Sequence, residues 1–236
     1  RLIEKNPKNQ EVIFPYIGGE EVNSSPTHAY HRYVINFGQM SEQEARENYP
    51  DLMAIVEEKV KPERLKQKRE IRKRYWWRFA ETTPALFNAI AQLDRVLVRS
   101  LTSKNFCFTF LENGYVYDQT LIVFALPKFS AFTILSSRIH ETWANFFGAS
   151  LEDRPRYNIA DCFQTFPFSK GWETDSTLEQ IGETYYNFRA DLMVRNNEGL
   201  TNTYNRFHNP DETDSDIEKL RQLHDEMDRA VLNAYG

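Results

Sequence analysis

The sequence predicts an α+β fold, with a mixed or antiparallel sheet and flanking helices, followed by a small all-α domain. Short apolar runs bounded by turn residues indicate strands before Phe168, and apolar residues spaced by three and four indicate helices after it. The 236 residues include 17 Phe and 12 Tyr, more aromatic surface than a disordered chain carries. The linker-like segment Ser169–Ser176 divides the chain into predicted domains at 1–172 and 173–236.

Two strands are predicted near the start, at Glu11–Tyr16 and Arg32–Phe37. The motif Ser41-x-x-Glu44 has the spacing of a capping box, in which the two side chains satisfy backbone N–H groups at a helix start. Pro50 and Pro62 are predicted in the first turns of two successive helices, because a helix start loses nothing from their missing N–H. The second of these helices carries a strongly basic segment.

A short helix from Pro84 precedes three predicted strands, at Arg95–Ser100, Asn105–Phe110 and Thr120–Ala125. Asn113-Gly114 has the chemistry of a tight turn. Ser130 is predicted to cap a helix that runs through Phe147, with Trp143 and Phe146 on its buried face and Gly148 as a left-handed cap. Two amphipathic helices follow, the first through Leu178 and Leu192 and the second through Ile217 and Val231.

Charge is distributed unevenly along the chain. The formal net charge is −5, but residues 171–236 hold 14 acidic and 6 basic residues, a net of −8, and residues 1–170 have a net of +3. Nine basic and two acidic residues lie between Lys61 and Arg78, which indicates a polyanionic partner. A solvated helix face is the alternative, but the aromatic residues Tyr75–Trp77 tie the segment to a folded core.

Motifs of several enzyme classes are missing. The chain has neither the Pro-Pro-aromatic loop of an amino-methyltransferase nor a glycine-rich turn after a strand. His140-Glu141 lacks the second histidine of a zinc-protease helix, since Ala144 occupies that position. Two cysteines are too few for a disulfide framework, and no apolar run reaches membrane-spanning length. We therefore expect a binding module in a reducing cytoplasmic setting, cut from a longer protein, rather than an enzyme.

The segment after Gly148 is the first candidate for reading DNA bases. Alternate residues of an extended segment face one way, so Glu152, Arg154 and Arg156 are expected on one side. Arginine can donate two hydrogen bonds to guanine, and glutamate can accept one from cytosine. A solvated loop with an internal Glu–Arg pair is the alternative.

Other polar residues suit further contacts with a nucleic acid. In Asp118-Gln119-Thr120, glutamine can read an adenine edge and threonine a thymine methyl group. Phosphate contacts position a protein without reading sequence, and we assign them to Lys66, Lys68, Arg69, Arg72, Lys73, Lys104 and Asn105.

Several strings of the chain together resemble the MmeI-like family of single-chain type II restriction–modification enzymes. Among them are Asn6–Asn23, Arg32–Gly38, Ser136–Trp143, Cys162–Phe168 and Gly199–His208. The resemblance implies that Glu11–Phe168 forms the DNA target recognition domain and that the residues after about 175 start a helical C-terminal domain. In that family the segment matching Glu152-x-Arg154-x-Arg156 lies among the base-reading positions.

The resemblance also implies a parent protein with an upstream adenine-N6 methyltransferase domain and an endonuclease. S-adenosylmethionine and a divalent metal belong to that parent, and we expect no cofactor in this chain. The sequence therefore favours sequence-specific binding of double-stranded DNA, within a bacterial cytoplasm. A protein-interaction or RNA-binding module with a basic helix is the alternative.

Overall fold

The computed structural model describes residues 1–79, 83–151 and 154–236, with the backbone alone for residues 149–151, 154 and 155. The strands are β1 (Ile13–Ile17), β2 (Arg32–Ile35), β3 (Arg95–Ser100), β4 (Thr109–Glu112), β5 (Val116–Tyr117), β6 (Leu121–Phe124), β7 (Ala149–Leu151) and β8 (Arg154–Arg156). The helices are α1 (Leu2–Lys5), α2 (Gly19–Ser24), α3 (Glu42–Asn48), α4 (Pro50–Lys59), α5 (Lys61–Leu65), α6 (Glu70–Arg74), α7 (Pro84–Ile90), α8 (Phe129–Ser136), α9 (Arg138–Phe147), α10 (Ser176–Asn196), α11 (Leu200–Phe207) and α12 (Ser215–Tyr235). The predicted α+β class is confirmed.

The chain folds into two compact units that do not follow the chain order. Unit 1 comprises Arg1–Tyr16, His31–Asn88 and Gly114–Val116. Unit 2 comprises Ile17–Tyr30, Ala89–Asn113 and Tyr117–Gly236. The predicted division into residues 1–172 and 173–236 stays a prediction. None of the helices in the described ranges combines the length and the apolarity needed to cross a membrane.

Unit 1 is built on helices that cover a small sheet. β1 pairs antiparallel with β2 and also borders β5. The predicted capping box is confirmed, because the Ser41 hydroxyl accepts from the Glu44 N–H at 3.2 Å and the Glu44 carboxylate accepts from the Ser41 N–H at 2.7 Å. The buried core of unit 1 consists of Val12, Phe37, Ala45, Tyr49, Leu52, Met53, Val56, Trp76 and Trp77.

The basic segment of unit 1 is not the single helix that was predicted. It forms α5 and α6, separated by residues 66–69. Arg69 has an extended backbone with φ −80° and ψ 111°. A continuous helix would place Arg64 beside Lys68 and Lys68 beside Arg72, and like charges four residues apart destabilise a helix. The break relieves this repulsion while Trp76 and Trp77 remain buried.

Unit 2 contains the sheet β4-β3-β6, in which both neighbours run antiparallel to β3. The predicted bounds of β3 are confirmed, and those of β6 hold to within one residue. The strand predicted at Asn105–Phe110 is wrong at its start, because pairing with β3 begins at Thr109. Asn113 and Gly114 do not close a hairpin between paired strands, since β5 joins β1 in the other sheet.

The helix predicted from Ser130 to Phe147 is two helices. Ser137 has an extended backbone and its hydroxyl caps α9 by accepting from the His140 N–H. The break shifts the helical phase, so Phe146 is 80% exposed rather than buried. Gly148 is extended, with φ −74° and ψ 165°, and not left-handed.

The helices α10, α11 and α12 pack within unit 2. Asp175 caps α10 by accepting from the N–H groups of Thr177 and Leu178 at 2.8 and 3.1 Å. α10 lies against both α8 and α12. The buried guanidinium of Arg189 on α10 donates to the Phe108 carbonyl at 2.8 Å, so this helix also holds the chain segment that leads into β4.

Candidate nucleic-acid interface

Two candidate base-reading segments meet at one place in unit 2, on either side of Leu101. The Leu101 N–H donates to the Thr120 carbonyl at 2.8 Å, and the Leu101 carbonyl accepts from the Tyr157 N–H at 3.0 Å. Thr102 forms an antiparallel bridge with Arg156. Residues 118–120 and 154–156 are thus brought to one edge, which we call the Leu101 edge.

Sequence reasoning missed the role of Leu101 and Thr102. They act through backbone groups, which leave no side-chain pattern in the sequence. The one available signal was their position directly after β3, a strand whose bounds the apolar pattern did predict.

The hairpin of β7 and β8 forms one side of the Leu101 edge. Its register places Ala149 opposite Arg156 and Leu151 opposite Arg154. The Arg156 side chain is exposed and bonds no other described residue. Arg154 is described by its backbone alone, and Glu152 lies outside the described residues.

The segment 118–120 forms the other side. The Asp118 carboxylate accepts from the Thr120 N–H at 2.8 Å, and the Thr120 hydroxyl accepts from the Gly19 N–H at 3.0 Å. These bonds shape the turn and engage one oxygen of the Asp118 carboxylate and the hydroxyl oxygen of Thr120. Gln119 between them is exposed. Its amide is therefore the group of this segment that is best placed to meet a base.

The two residues predicted at a phosphate contact beside this edge differ in exposure. Lys104 is exposed. Asn105 is only 5% exposed, and its amide donates to the Thr201 carbonyl and to the Asn205 side chain, both at 3.3 Å. Its burial argues against the predicted phosphate contact, because the amide is already engaged inside the protein. Lys104 is therefore the better candidate of the two.

The basic segment of unit 1 contains cations of two kinds. Lys66 and Lys73 form ion pairs with Glu63 at 2.7 Å and Glu70 at 2.6 Å. Arg72 donates to the Gln67 side chain at 3.3 Å. Two further cations, Lys68 and Arg69, are exposed and form no ion pair within the described part of the chain. Among the residues of this segment that were predicted to contact phosphate, they are the most available to an external phosphate.

A cavity of about 240 Å³ lies beside this segment, within unit 1. One wall is held by Arg78, whose guanidinium donates to the carbonyls of Gln39 at 2.7 Å and Met40 at 3.1 Å and stacks on Tyr75 at 4.7 Å. Because the Arg78 guanidinium is already hydrogen-bonded to backbone carbonyls, we interpret it as a structural part of the cavity wall. The complete lining is Gln39, Arg64, Ile71, Arg72, Tyr75, Arg78 and Phe79.

The two free thiols and His140 lie in the interior. Within residues 1–79, 83–151 and 154–236, no cluster of three or more His, Cys, Asp or Glu is arranged to hold a metal ion. Cys107 and Cys162 are buried free thiols, and burial raises the pKa of each. Burial lowers the pKa of His140 to about 3, with a further contribution from Arg99, so this histidine is neutral at physiological pH.

The comparisons with known proteins agree with this architecture. A solved structure described as the type IIL restriction–modification enzyme MmeI in complex with DNA matches with a TM-score of 0.66 and 20% sequence identity. The match covers 99% of this chain and 29% of that chain, and at this identity it shows a shared fold. No curated protein matches the chain. Over residues 1–170 the chain matches the family model "MmeI, target recognition domain", and it therefore belongs to the family of MmeI target recognition domains.

Proposed function

We propose that the chain recognises a specific sequence in double-stranded DNA on behalf of a restriction–modification enzyme. The observation that carries this proposal is the Leu101 edge, where Gln119 and Arg156 are exposed. The backbone N–H and carbonyl of Leu101 hold their two segments together through hydrogen bonds. Arginine matches the O6 and N7 acceptors of guanine, and glutamine matches the N6 and N7 groups of adenine. Membership of a target recognition family supports this assignment.

Contacts with the DNA backbone are assigned to the exposed cations. In unit 1 the candidates are Lys68 and Arg69, with Lys66, Arg72 and Lys73 as weaker candidates because each already bonds a neighbour. In unit 2 the candidate is Lys104. Such contacts supply affinity for any duplex and set its register, while the base contacts supply specificity.

The enzyme activities are assigned to other parts of a longer protein. The chain spans about 29% of the length of the MmeI enzyme that it matches. We assign adenine-N6 methylation with S-adenosylmethionine and metal-dependent cleavage to domains that precede this chain, of which a methyltransferase domain is the direct partner. This chain then selects the site, in the cytoplasm of a bacterium.

Selection from a randomised duplex DNA library tests the proposal. Arg156→Ala is expected to remove the preference at one base pair, a loss of about 5- to 150-fold at that position. Arg195→Ala is the matched control, because Arg195 is an exposed arginine of unit 2 that pairs with Asp216 at 2.9 Å. Unchanged base preference in Arg156→Ala would contradict the role of this arginine. Tighter binding to single-stranded RNA than to duplex DNA would favour an RNA-binding module instead.

A further inference from the structure

The chain passes from the surface to the core between two adjacent residues. Arg156 is exposed, whereas Tyr157 is only 2% exposed. Successive side chains of an extended segment point to opposite sides. The direction of Arg156 is therefore set by the way in which Tyr157 is held, and Tyr157 was not among the residues predicted from the sequence.

Three different contacts hold Tyr157. Its N–H donates to the Leu101 carbonyl at 3.0 Å. Its hydroxyl shares a hydrogen bond of 2.8 Å with Nε2 of His140. The guanidinium of Arg99 lies 4.5 Å from the centre of its ring. Backbone, hydroxyl and ring are each fixed by a different residue, so both the depth and the rotation of Tyr157 are determined.

Arg99 is an unusual residue to find at this place in β3. Its side chain is 2% exposed, its Nε donates to the Ser100 carbonyl at 3.3 Å, and its Nη1 has no partner. No carboxylate of the described residues pairs with it, and the rings of Phe106 and Phe108 lie 4.3 and 5.1 Å away. Burying a charge is costly, and an apolar residue of similar size often gives equal or greater stability. Stability alone therefore does not account for an arginine here.

We propose that Arg99, His140 and Tyr157 form a positioning cluster that fixes the register of β8 and thereby aims Arg156 at the DNA. The proposal rests on the function proposed for the Leu101 edge. A slip of one residue in β8 would turn each side chain to the other face and would point Arg156 inward. Cation–π attraction strengthens when the cation is removed from water, which suits a buried guanidinium to holding a ring in place.

Two variants test the cluster without removing large side chains. Tyr157→Phe deletes only the hydroxyl bonded to His140. Arg99→Met replaces the cation with an unbranched apolar side chain. The control is Tyr185→Phe, which removes another buried hydroxyl of unit 2, one that bonds Tyr204 at 2.9 Å. Each protein is measured by selection from the randomised duplex library, by its affinity for a duplex of arbitrary sequence and by its Tm.

Both cluster variants are expected to weaken the preference at the base pair read by Arg156. Loss of the hydrogen bond made by the Tyr157 hydroxyl should reduce that base preference roughly two- to tenfold. Affinity for an arbitrary duplex should stay within about twofold, and Arg99→Met should keep or raise its Tm, since it removes a buried unpaired charge. A purely structural role predicts the reverse pattern, in which Tm falls and the base preference persists.

The outcomes separate the cluster from the proposed function. If Arg156→Ala loses its base preference and both cluster variants keep theirs, the cluster is refuted and the proposed function stands. If Tyr185→Phe weakens the preference as much as Tyr157→Phe, a general loss of rigidity explains the result and the cluster is also refuted. If Arg156→Ala keeps its preference, the base-reading role of the edge fails and the cluster fails with it.

Discussion

Replacing Lys68 and Arg69 with alanine is expected to reduce the salt dependence of DNA binding without changing base preference. Both residues are exposed, and neither pairs with a carboxylate of the described residues. Each phosphate contact contributes about 0.9 to the slope of log Kobs against log salt concentration, so two contacts contribute about 1.8. Between 50 and 200 mM salt, the unaltered chain should therefore lose roughly 12-fold more affinity than the double variant.

The assay is a titration of a fluorescent duplex at several salt concentrations, read by anisotropy. The control is Lys219→Ala with Arg229→Ala, which removes the same charge from exposed positions of α12. A change in net charge alone would affect both double variants equally. If the Lys68 and Arg69 variant keeps the slope of the unaltered chain, or if it changes the preferred sequence, the assignment of these residues to phosphate contacts is wrong.

Two further predictions concern stability. In Gly182→Ala, the new Cβ would lie 2.0 Å from Thr133 Oγ1 and 2.8 Å from the Phe129 carbonyl. Although alanine has the better helix propensity, this overlap should lower the free energy of unfolding, measured in urea, by roughly 1–3 kcal/mol. Adding Thr133→Ala should recover part of that loss, and an unchanged stability of Gly182→Ala would contradict the close packing of α10 on α8. His140 has a pKa of about 3 in the folded chain, lowered by burial from 6.5, so the unfolded chain binds a proton below pH 6.5 that the folded chain does not. This histidine alone should thus lower the free energy of unfolding by at most about 1.4 kcal/mol per pH unit as the pH falls from 6.5 towards 4. His140→Gln, whose slope is measured by unfolding at each pH, should show a shallower decrease. Equal slopes would contradict the burial of this imidazole.

Features with local causes were predictable from the sequence. The capping box at Ser41 depends on two side chains three residues apart, and the structure has both of its hydrogen bonds. The apolar pattern of Arg95–Ser100 also predicted the bounds of β3. In both cases the residues that determine the structure lie within the segment itself.

Features that depend on distant contacts were not predictable. The exposure of Phe146 follows from the break at Ser137, since an apolar face cannot be extrapolated across a change in helical phase. The burial of Asn105 depends on its hydrogen bonds to Thr201 and Asn205, about 100 positions away. The Leu101 edge is likewise assembled from segments that are far apart in sequence, by backbone groups that every residue possesses.

Gly148 lies where α9 meets the hairpin of β7 and β8, and there is no room for a side chain at this position. A Cβ at this position would lie 2.4 Å from the Ala144 carbonyl, so the chain runs close against the last turn of α9 as it enters the hairpin of β7 and β8. At the other end the same hairpin finishes at the anchored Tyr157. The eight positions 149–156 therefore lie between Gly148 and Tyr157, two positions that close packing constrains. Under the proposed function, we expect substitutions inside this segment to alter which base is met while the core keeps its packing, and insertions or deletions to disturb the packing at one of its ends.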